Sequence, residues 1–329
     1  MATLETQQLD EVIVNSRRKM LSLGTTALAG LALAGITRAA NAQAATLTDA
    51  DYLNFALNLE YLEANFYNLA VNGVTIDKLT TPIDITGTGT QGTVTVKPNF
   101  SAVPFTSTTI AAYAKETAIE EGKHVSFLRT ALGMSAVAQP AINLVDSFNT
   151  LASGALGIAA FDPFASDANF LIGAFIFEDV GVTAYHGAAG SLTSTTNFGA
   201  AVGIHAVEAY HAGLVRTAIN ALDAGTGVLA GYTQKIAAFR SMLANPGGAT
   251  TTTKTGIKAD DIGIDNSQMV ALQGTTATYA STTIIDADNN SIGFSRTPQQ
   301  ILAIVTGTSP TATTHTGVFF PAGLNGNVK

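Results

Sequence analysis

The sequence predicts an all-α protein built around a four-helix bundle. Four stretches rich in Ala, Leu and Phe repeat their apolar residues at spacings of three and four, as amphipathic helices do. They cover about residues 47–72, 108–132, 167–191 and 197–223. Residues 135–166 form a long connection between the second and third stretches. Two helix pairs need such a crossover to pack antiparallel, so we expect two helical hairpins joined by a long connection.

Polar residues at the start of each stretch support these helix boundaries. A Ser, Thr, Asp or Asn side chain at the N-cap accepts a hydrogen bond from an otherwise unpaired backbone N–H. The candidate caps are Thr48 or Asp49, Ser107, Ser166 or Asp167, and Thr196 or Asn197. Each predicted bundle helix therefore begins at a residue type that favours a helix start.

An insertion at residues 76–106 separates the first two bundle helices and is rich in Thr, Gly and Pro. Its segments Thr80–Thr86 and Gly92–Lys97 alternate like paired strands, which predicts a small β-hairpin. A short helix is expected in the crossover near residues 141–151, and a fifth helix at 232–244.

The C-terminal third of the chain changes composition. Beyond Gly247 it becomes rich in Thr, Gly and Asp, with one late helix expected near residues 297–306. Pro298 suits the first turn of that helix, where a missing N–H costs nothing. We interpret residues 45–245 as the bundle with its insertion, and residues 246–329 as a C-terminal extension that packs on the bundle rather than forming a second domain.

Residues 1–44 resemble an export signal. Residues 16–21, Ser-Arg-Arg-Lys-Met-Leu, are similar to the twin-arginine box, and a moderately apolar run follows from 20 to 37. Two overlapping small-x-small sites, 40–42 and 42–44, suit cleavage. We expect a removed signal, a periplasmic or extracellular protein and no stable membrane insertion afterwards. The alternative is a membrane anchor, because the apolar run is about long enough to span.

Composition narrows the classes of partner. The chain has 329 residues and a net charge of −8, with no basic stretch after its N-terminus, so nucleic acid is not an expected partner. The sequence contains no cysteine. Any bound metal must therefore be held by oxygen and imidazole ligands, a set that suits iron, manganese or zinc.

Two Glu-x-x-His motifs are the most informative feature of the sequence. Side chains three residues apart on a helix point the same way, so each motif offers a carboxylate and an imidazole to one centre. A helix with its own glutamate precedes each motif. In chain order the six residues are Glu60, Glu121, His124, Glu178, Glu208 and His211. This order on four successive helices is typical of a carboxylate-bridged di-metal site in a bundle core.

The distribution of glutamate supports a functional cluster. The chain has nine Glu, two of them within residues 1–44, and the other seven all lie in the four predicted bundle helices. Four unpaired buried carboxylates would be costly without cations. Two divalent ions balance four carboxylates, so we expect two such ions, either iron or manganese.

Several neighbouring residues leave the assignment open. Glu63 also faces inward and could replace or supplement Glu60. Glu120, directly before Glu121, is either a carboxylate that hydrogen-bonds a ligand imidazole or a surface charge, and Asp179 beside Glu178 poses the same choice.

Two tyrosines are candidate catalytic residues. Tyr67 and Tyr185 each follow a lone glutamate, Glu60 or Glu178, by seven residues, so the two helix pairs look like a diverged internal repeat. They are hydrogen-bond donors or redox relays beside the metals, or alternatively packing residues. We expect His186, His205 and His315 to be structural residues, because they lack an upstream Glu. Arg216 is expected at the surface, with the neutralisation of surplus acid near the fourth bundle helix as the alternative.

The sequence resembles the ferritin-like superfamily, specifically exported ferritin-like domain proteins related to plant desiccation-related proteins. The matching segments are residues 57–67 (LNLEYLEANFY), 177–186 (FEDVGVTAYH), 206–213 (AVEAYHAG) and 295–298 (SRTP). The resemblance covers about residues 46–325 and assigns the six residues above to the ligand positions. It implies the fold and an association with stress. The insertion and the long tail differ from compact ferritins and argue against a storage cage.

The sequence supports two main hypotheses. The first is a di-metal oxidoreductase, similar to a peroxidase, catalase or ferroxidase, that reacts with peroxide or dioxygen in oxidative or desiccation stress. The alternative is a non-catalytic envelope or desiccation protectant with a structural or vestigial metal site. Metal storage is a third option that requires a hollow shell. A homo-oligomer is compatible with each, and the ligand set does not choose between iron and manganese.

Overall fold

The computed structural model describes residues 47–246, 260–271, 276, 278–288 and 290–329. The predicted export signal at residues 1–44 lies outside the described residues. The helices, in chain order, are α1 (Asp49–Asn72), α2 (Thr108–Leu132), α3 (Asp146–Leu151), α4 (Asp167–Ala189), α5 (Thr195–Asp223), α6 (Val228–Ala244) and α7 (Pro298–Thr306). Helices α1, α2, α4 and α5 form the predicted bundle, which confirms the all-α fold.

The helix starts follow the capping residues with one exception. Thr48, Ser107 and Ser166 each accept a hydrogen bond from a backbone N–H of the first turn. The prediction of Thr196 or Asn197 for the fourth bundle helix was wrong. Ser194 is the N-cap, because its hydroxyl accepts from the N–H of Asn197 at 3.3 Å.

The bundle consists of two antiparallel pairs, α1 with α2 and α4 with α5. Helices α1 and α4 lie at the centre and bury most of their residues, whereas α2 and α5 bury only their inner faces. One end of the core is aromatic: Phe66 stacks parallel on Phe170 at 5.7 Å and packs edge-on against Phe177 at 5.0 Å. Such aromatic packing fixes how α1 and α4 sit against each other.

Helix α4 is the one described helix that is long and apolar enough to cross a membrane. Within the described structure 83% of its apolar window is buried inside the protein. Its hydropathy is therefore that of a helix at the centre of a bundle, which is apolar on all sides.

The insertion does not form the predicted β-hairpin, and this part of the prediction was wrong. Strand β1 (Val94–Thr95) pairs in parallel with β2 (Ile142–Asn143) of the crossover. Alternation predicts an extended chain but does not name its partner. Here the insertion lies so close to the crossover that a Cβ on Gly92 would fall 2.1 Å from the Ala141 nitrogen. Only glycine permits this approach.

The tail contains an antiparallel strand pair that the sequence did not reveal, β3 (Asp265–Ala271) with β4 (Thr278–Thr283). Helix α7 follows the prediction, with Thr297 as its N-cap in a capping box with Gln300. It packs against α4 and α6. The helix predicted at 232–244 begins earlier, at Val228, and the short crossover helix covers Asp146–Leu151.

Buried ion pairs join the tail to the bundle. Asp179 of α4 accepts hydrogen bonds from Arg216 at 2.9 Å and from Arg240 at 2.8 Å. Asp261 of the tail accepts from Arg240 at 2.7 Å and from Arg296 at 2.9 Å. The expectation that Arg216 lies at the surface was wrong, because it is 2% exposed. Its alternative role, the neutralisation of acid, agrees with the ion pair to Asp179.

Candidate metal centre

The four bundle helices bring all six predicted ligand residues together at the centre of the bundle. Their carboxylate oxygens and ring nitrogens form two groups, and within each group the ligand atoms lie within 4.8 Å of one another. The first group is Glu60, Glu121, His124 and Glu208, and the second is Glu121, Glu178, Glu208 and His211. Glu121 and Glu208 belong to both groups.

Each histidine turns its Nδ1 atom toward the carboxylates. Nδ1 of His124 lies 3.3 Å from Glu60 Oε2 and 3.3 Å from Glu208 Oε1. Nδ1 of His211 lies 2.9 Å from Glu121 Oε1 and 3.4 Å from Glu178 Oε2. One helical turn separates Glu from His in each motif, so the spacing itself places each imidazole beside the carboxylate of its own helix.

Eight ligand atoms of this cluster are buried without a hydrogen-bond partner. They are Glu60 Oε2, both carboxylate oxygens of Glu121 and of Glu208, Glu178 Oε2, and Nδ1 of His124 and His211. Unpaired buried oxygens and nitrogens are costly, and native proteins rarely leave them so. This set of buried carboxylate oxygens and imidazole nitrogens is chemically suited to bind metal.

The charges of the cluster strongly perturb its titration. Burial raises the pKa of Glu60 to about 7, and the positive charge of His124 offsets only part of this rise. Burial raises the pKa of Glu208 well above its ordinary value, and the Glu121 carboxylate adds to this rise. For His211 burial alone would lower the pKa, but the Glu178 and Glu121 carboxylates outweigh it and raise the pKa to about 12. The metal-free cluster thus binds protons where cations would otherwise sit.

The two tyrosines bond to the glutamates crosswise. Tyr67 of α1 donates its hydroxyl hydrogen to Glu178 of α4, and Tyr185 of α4 donates to Glu60 of α1. Each hydrogen bond uses Oε1 and leaves Oε2 toward the cluster. The spacing of seven predicted a tyrosine on the face of its own glutamate. The structure instead pairs each tyrosine with the glutamate of the other helix.

Glu120 contacts one histidine of the site and not the other. Its Oε2 lies 2.7 Å from Nε2 of His211. A carboxylate at this place accepts the Nε2 hydrogen, so Nδ1 is the ring nitrogen that can exchange its proton for a metal. In the second Glu-x-x-His motif the matching position is Val207. The described residues offer no carboxylate to Nε2 of His124, so the two halves of the site differ.

The two halves of the site, one built on α1 and α2 and the other on α4 and α5, also differ at Glu63 and Gly181. Each follows its lone glutamate, Glu60 or Glu178, by three residues. A Cβ on Gly181 would lie 2.3 Å from Glu208 Oε2, so this glycine makes room for a shared carboxylate. Glu63 is buried but lies outside both ligand groups. Burial, followed by the charge of Glu208, raises its pKa well above the ordinary value.

The remaining candidates lie outside the two groups. Asp179 bonds to arginines rather than to the site. It forms a third acidic group with Asp261 and Asp286, but Arg216 and Arg240 lie against this group and supply the positive charge. The other histidines contact the protein elsewhere: His186 faces the Phe294 carbonyl, His205 packs on His186, and His315 bonds to Thr308.

Sequence reasoning missed two parts of this region. Gly181 was not recognised, although its place in the repeat opposite Glu63 marks it as a position where one helix pair needs space. The arginine–aspartate network was also missed, because Arg240, Asp261 and Arg296 come from separate segments that only the folded chain brings together.

Comparisons with known proteins agree with this architecture. The chain is 29% identical over 268 residues to the desiccation-related protein PCC13-62 of Craterostigma plantagineum, covering 79% of this chain and 78% of that protein. It is 24% identical over 284 residues to the ferritin-like catalase Nec2 of Nesocodon mauritianus, covering 85% and 84%. No solved structure matches the chain significantly. The ferritin-like domain family matches residues 48–221, which hold all six clustered residues, and the chain belongs to this family as a relative of desiccation-related proteins.

Proposed function

We propose that this protein holds two divalent ions, iron or manganese, and uses them to break down peroxide or to reduce dioxygen. The observation that carries the proposal is the set of eight unpartnered ligand atoms, arranged as two groups that share Glu121 and Glu208. Glu60 and His124 complete one metal position, and Glu178 and His211 complete the other. Bound iron or manganese would supply Lewis acidity and reversible electron transfer.

The protein's own residues prepare this site in three ways. The bundle excludes bulk water, since the four glutamates are at most 1% exposed. Tyr67 and Tyr185 fix the rotation of Glu178 and Glu60 and hold a proton on each hydroxyl, one hydrogen bond from a ligand oxygen. Glu120 orients His211 through Nε2. The tyrosine hydroxyls therefore place two buried proton donors one hydrogen bond away from the ligand set.

Peroxide is the substrate that we favour. The relative named a ferritin-like catalase aligns over 85% of this chain, and its name supports peroxide as the substrate here. A pair of redox-active ions held by these residues would supply the two electrons that reduction of peroxide requires. Dioxygen remains the second substrate to be assayed.

Metal analysis followed by peroxide turnover tests the proposal. The purified chain should hold close to two ions of iron or manganese and should evolve oxygen from peroxide, or consume peroxide with an added reductant. Glu121→Gln should lose at least one ion and nearly all turnover. Glu116→Gln on the exposed face of the same helix is the matched control and should match the parent. Less than one ion per chain after reconstitution would reject the enzyme.

A desiccation protectant is the second candidate function. It is supported by the relative named a desiccation-related protein, which aligns over 79% of this chain. A protectant would keep the bundle and its ions but show no turnover of peroxide or dioxygen. A fully loaded and folded protein that lacks both activities would therefore favour this candidate.

We also propose that the protein acts outside the cytoplasm. The support is the twin-arginine-like segment at residues 16–21, followed by an apolar run and the small-x-small sites at 40–42 and 42–44. Replacement of both Arg17 and Arg18 by Lys should leave the protein in the cytoplasmic fraction of a bacterial host that exports the parent. Unchanged distribution of the variant would contradict this pathway.

A further inference from the structure

The outer face of helix α5 carries no acidic or basic side chain along its 29 residues. The helix contains Glu208, Arg216 and Asp223, and all three are buried. Its exposed positions are Gly, Ala, Val, Leu, Thr, Phe and Tyr residues. The large apolar side chains exposed on it are Phe198, Val202, Tyr210 and Leu222, of which Tyr210 is 78% exposed. A helix face that meets only water normally carries charged residues, so this face is suited to a partner.

Three glycines on this face have free space beside them. Among residues 47–246 and the described part of the tail, a Cβ added to Gly199, Gly203 or Gly213 would meet nothing within 4 Å. A glycine in the interior of a helix costs roughly 0.5–1 kcal/mol relative to alanine. Three such positions on one exposed face instead leave room for another backbone to approach closely.

A groove runs beside the second half of this face. It has a volume of about 740 Å³ and lies between the first turns of α2 and the C-terminal half of α5. Ile285 of the tail, 60% exposed, lies at its edge. The other lining residues that matter here are Ile110, Tyr113, Leu214, Thr217 and Ala218.

The central line of the face is self-complementary. Its residues follow each other at spacings of four and three: Gly199, Gly203, Ala206, Tyr210, Gly213 and Thr217. When this line is laid antiparallel on a copy of itself, with position 208 at the centre, Gly199 meets Thr217, Gly203 meets Gly213 and Ala206 meets Tyr210. Each larger side chain then faces a Gly or Ala.

We propose that α5 is the interface of a two-fold homodimer in which the α5 helices of two copies pack antiparallel, centred at the level of residue 208. A two-fold axis requires one surface to fit itself, which the central line does. In this register Phe198 of one copy lies at the same level along the helix axis as Thr217 and Ala218 of the other copy.

The size of this face suits a small dimer interface. A 29-residue helix is about 43 Å long and about 10 Å across, which gives roughly 450 Å² per copy before the groove walls are added. This area falls below the about 800 Å² per partner that stable interfaces bury, so we expect a weak dimer that dissociates on dilution. A lipid surface is a poorer occupant, because the net charge of −8 opposes approach to anionic membranes.

Cysteine cross-linking tests the register directly, because the natural chain contains no cysteine. The double variant Gly203→Cys with Gly213→Cys should form a disulfide-linked dimer of twice 33.8 kDa under mild oxidation, reversed by reductant. Within one copy these positions lie about 15 Å apart along the helix, too far for a bridge. Met242→Cys on the exposed side of α6 is the control and should remain monomeric in denaturing gels.

Analytical ultracentrifugation of the full chain is the second test and measures the dissociation constant of the dimer. The parent should show a monomer–dimer equilibrium. Ala206→Glu should raise its dissociation constant at least tenfold, because each copy would press a carboxylate against Tyr210 of the other, with the two charges only about 6 Å apart along the helix axis. Met242→Glu, an exposed apolar residue off this face, should leave the constant unchanged. Three results would overturn the proposal. The parent could stay monomeric at high concentration. It could dimerise unaffected by Ala206→Glu and without forming the cross-link, or α5 could bind anionic vesicles in place of a second copy.

Discussion

At the scale of single residues, the site combines positions that the sequence reveals with positions that it hides. Glu121 with His124 and Glu208 with His211 follow from helical spacing alone, because three residues bring two side chains to one face. Gly181 does not follow, since a glycine's role depends on which side chain lies against it, here Glu208. The crosswise tyrosine bonds were equally hidden, because they depend on how α1 and α4 pack.

Gly181→Ala should weaken metal binding, since its methyl group would fall where the Glu208 carboxylate lies. We expect a loss of at least tenfold in the affinity for one or both ions, measured by competition with a metal-binding dye. Gly231→Ala on α6, where a Cβ meets nothing within 4 Å, is the matched control and should be neutral or slightly stabilising. Equal metal affinity in both variants would contradict the assigned role of Gly181.

Tyr67→Phe should destabilise the metal-free protein, because the Glu178 oxygen that accepts the tyrosine hydrogen bond would lose its buried partner. The expected loss is about 1–3 kcal/mol in the free energy of unfolding, measured by urea denaturation. Tyr210→Phe removes a hydroxyl from a side chain that is 78% exposed and should change stability little. A Tyr67→Phe protein as stable as Tyr210→Phe would refute the hydrogen bond.

Glu120→Gln should make the two metal positions more alike. Only His211 has a carboxylate on its outer nitrogen, so we expect the parent to bind its two ions with unequal affinities. Losing this partner typically lowers metal affinity by about 10–100-fold, and the loss should fall on one ion. Stepwise calorimetric titration of parent and variant checks this, and two equal affinities in the parent would argue against the asymmetry.

At the scale of elements, helices were predictable and strand pairing was not. Apolar spacing and caps located α1 and α2 closely, because a helix is determined by residues near in sequence. The alternation in the insertion indicated extended chain but not its partner, and β1 pairs with the crossover instead of with its neighbour. The contacts that hold the tail join residues far apart in sequence, since Arg240 of α6 bonds to both Asp179 and Asp261. Such contacts leave no local pattern in the sequence.

Arg240→Met should strongly destabilise the protein by leaving two buried aspartates without their shared cation. The expected cost is about 3–5 kcal/mol, as for other broken buried ion pairs, measured by urea denaturation. Lys235→Met on the exposed side of the same helix is the matched control and should change stability by less than about 1 kcal/mol. Equal unfolding midpoints for the two variants would show that the network does not lock the tail.

At the scale of the whole molecule, the metal-free bundle carries a cluster of carboxylates that only protons or cations neutralise. Burial raises the pKa of Glu60 from 4.5 to about 7, and nearby carboxylates raise that of His211 from 6.5 to about 12 against the effect of burial. The folded state therefore binds more protons than the unfolded chain above pH 4.5. The stability that Glu60 contributes is complete below its unfolded pKa and is lost as pH rises through 7.

The metal-free protein should accordingly lose stability between pH 5 and 8, by about 1.4 kcal/mol per pH unit for each extra proton bound. The metal-loaded protein should gain relative stability over the same interval, because deprotonated ligands bind cations more tightly. Thermal unfolding with and without manganese across this pH range measures both slopes. Parallel slopes for the two forms would show that the cluster does not exchange protons for metal.

A crystal structure of the metal-loaded protein with anomalous data at the iron and manganese absorption edges is the most direct test of a dinuclear centre. The proposal requires two anomalous peaks inside the bundle. One should be bound by Glu60 and His124, the other by Glu178 and His211, with Glu121 and Glu208 bridging. A single peak, or peaks only outside these two groups of residues, would contradict it.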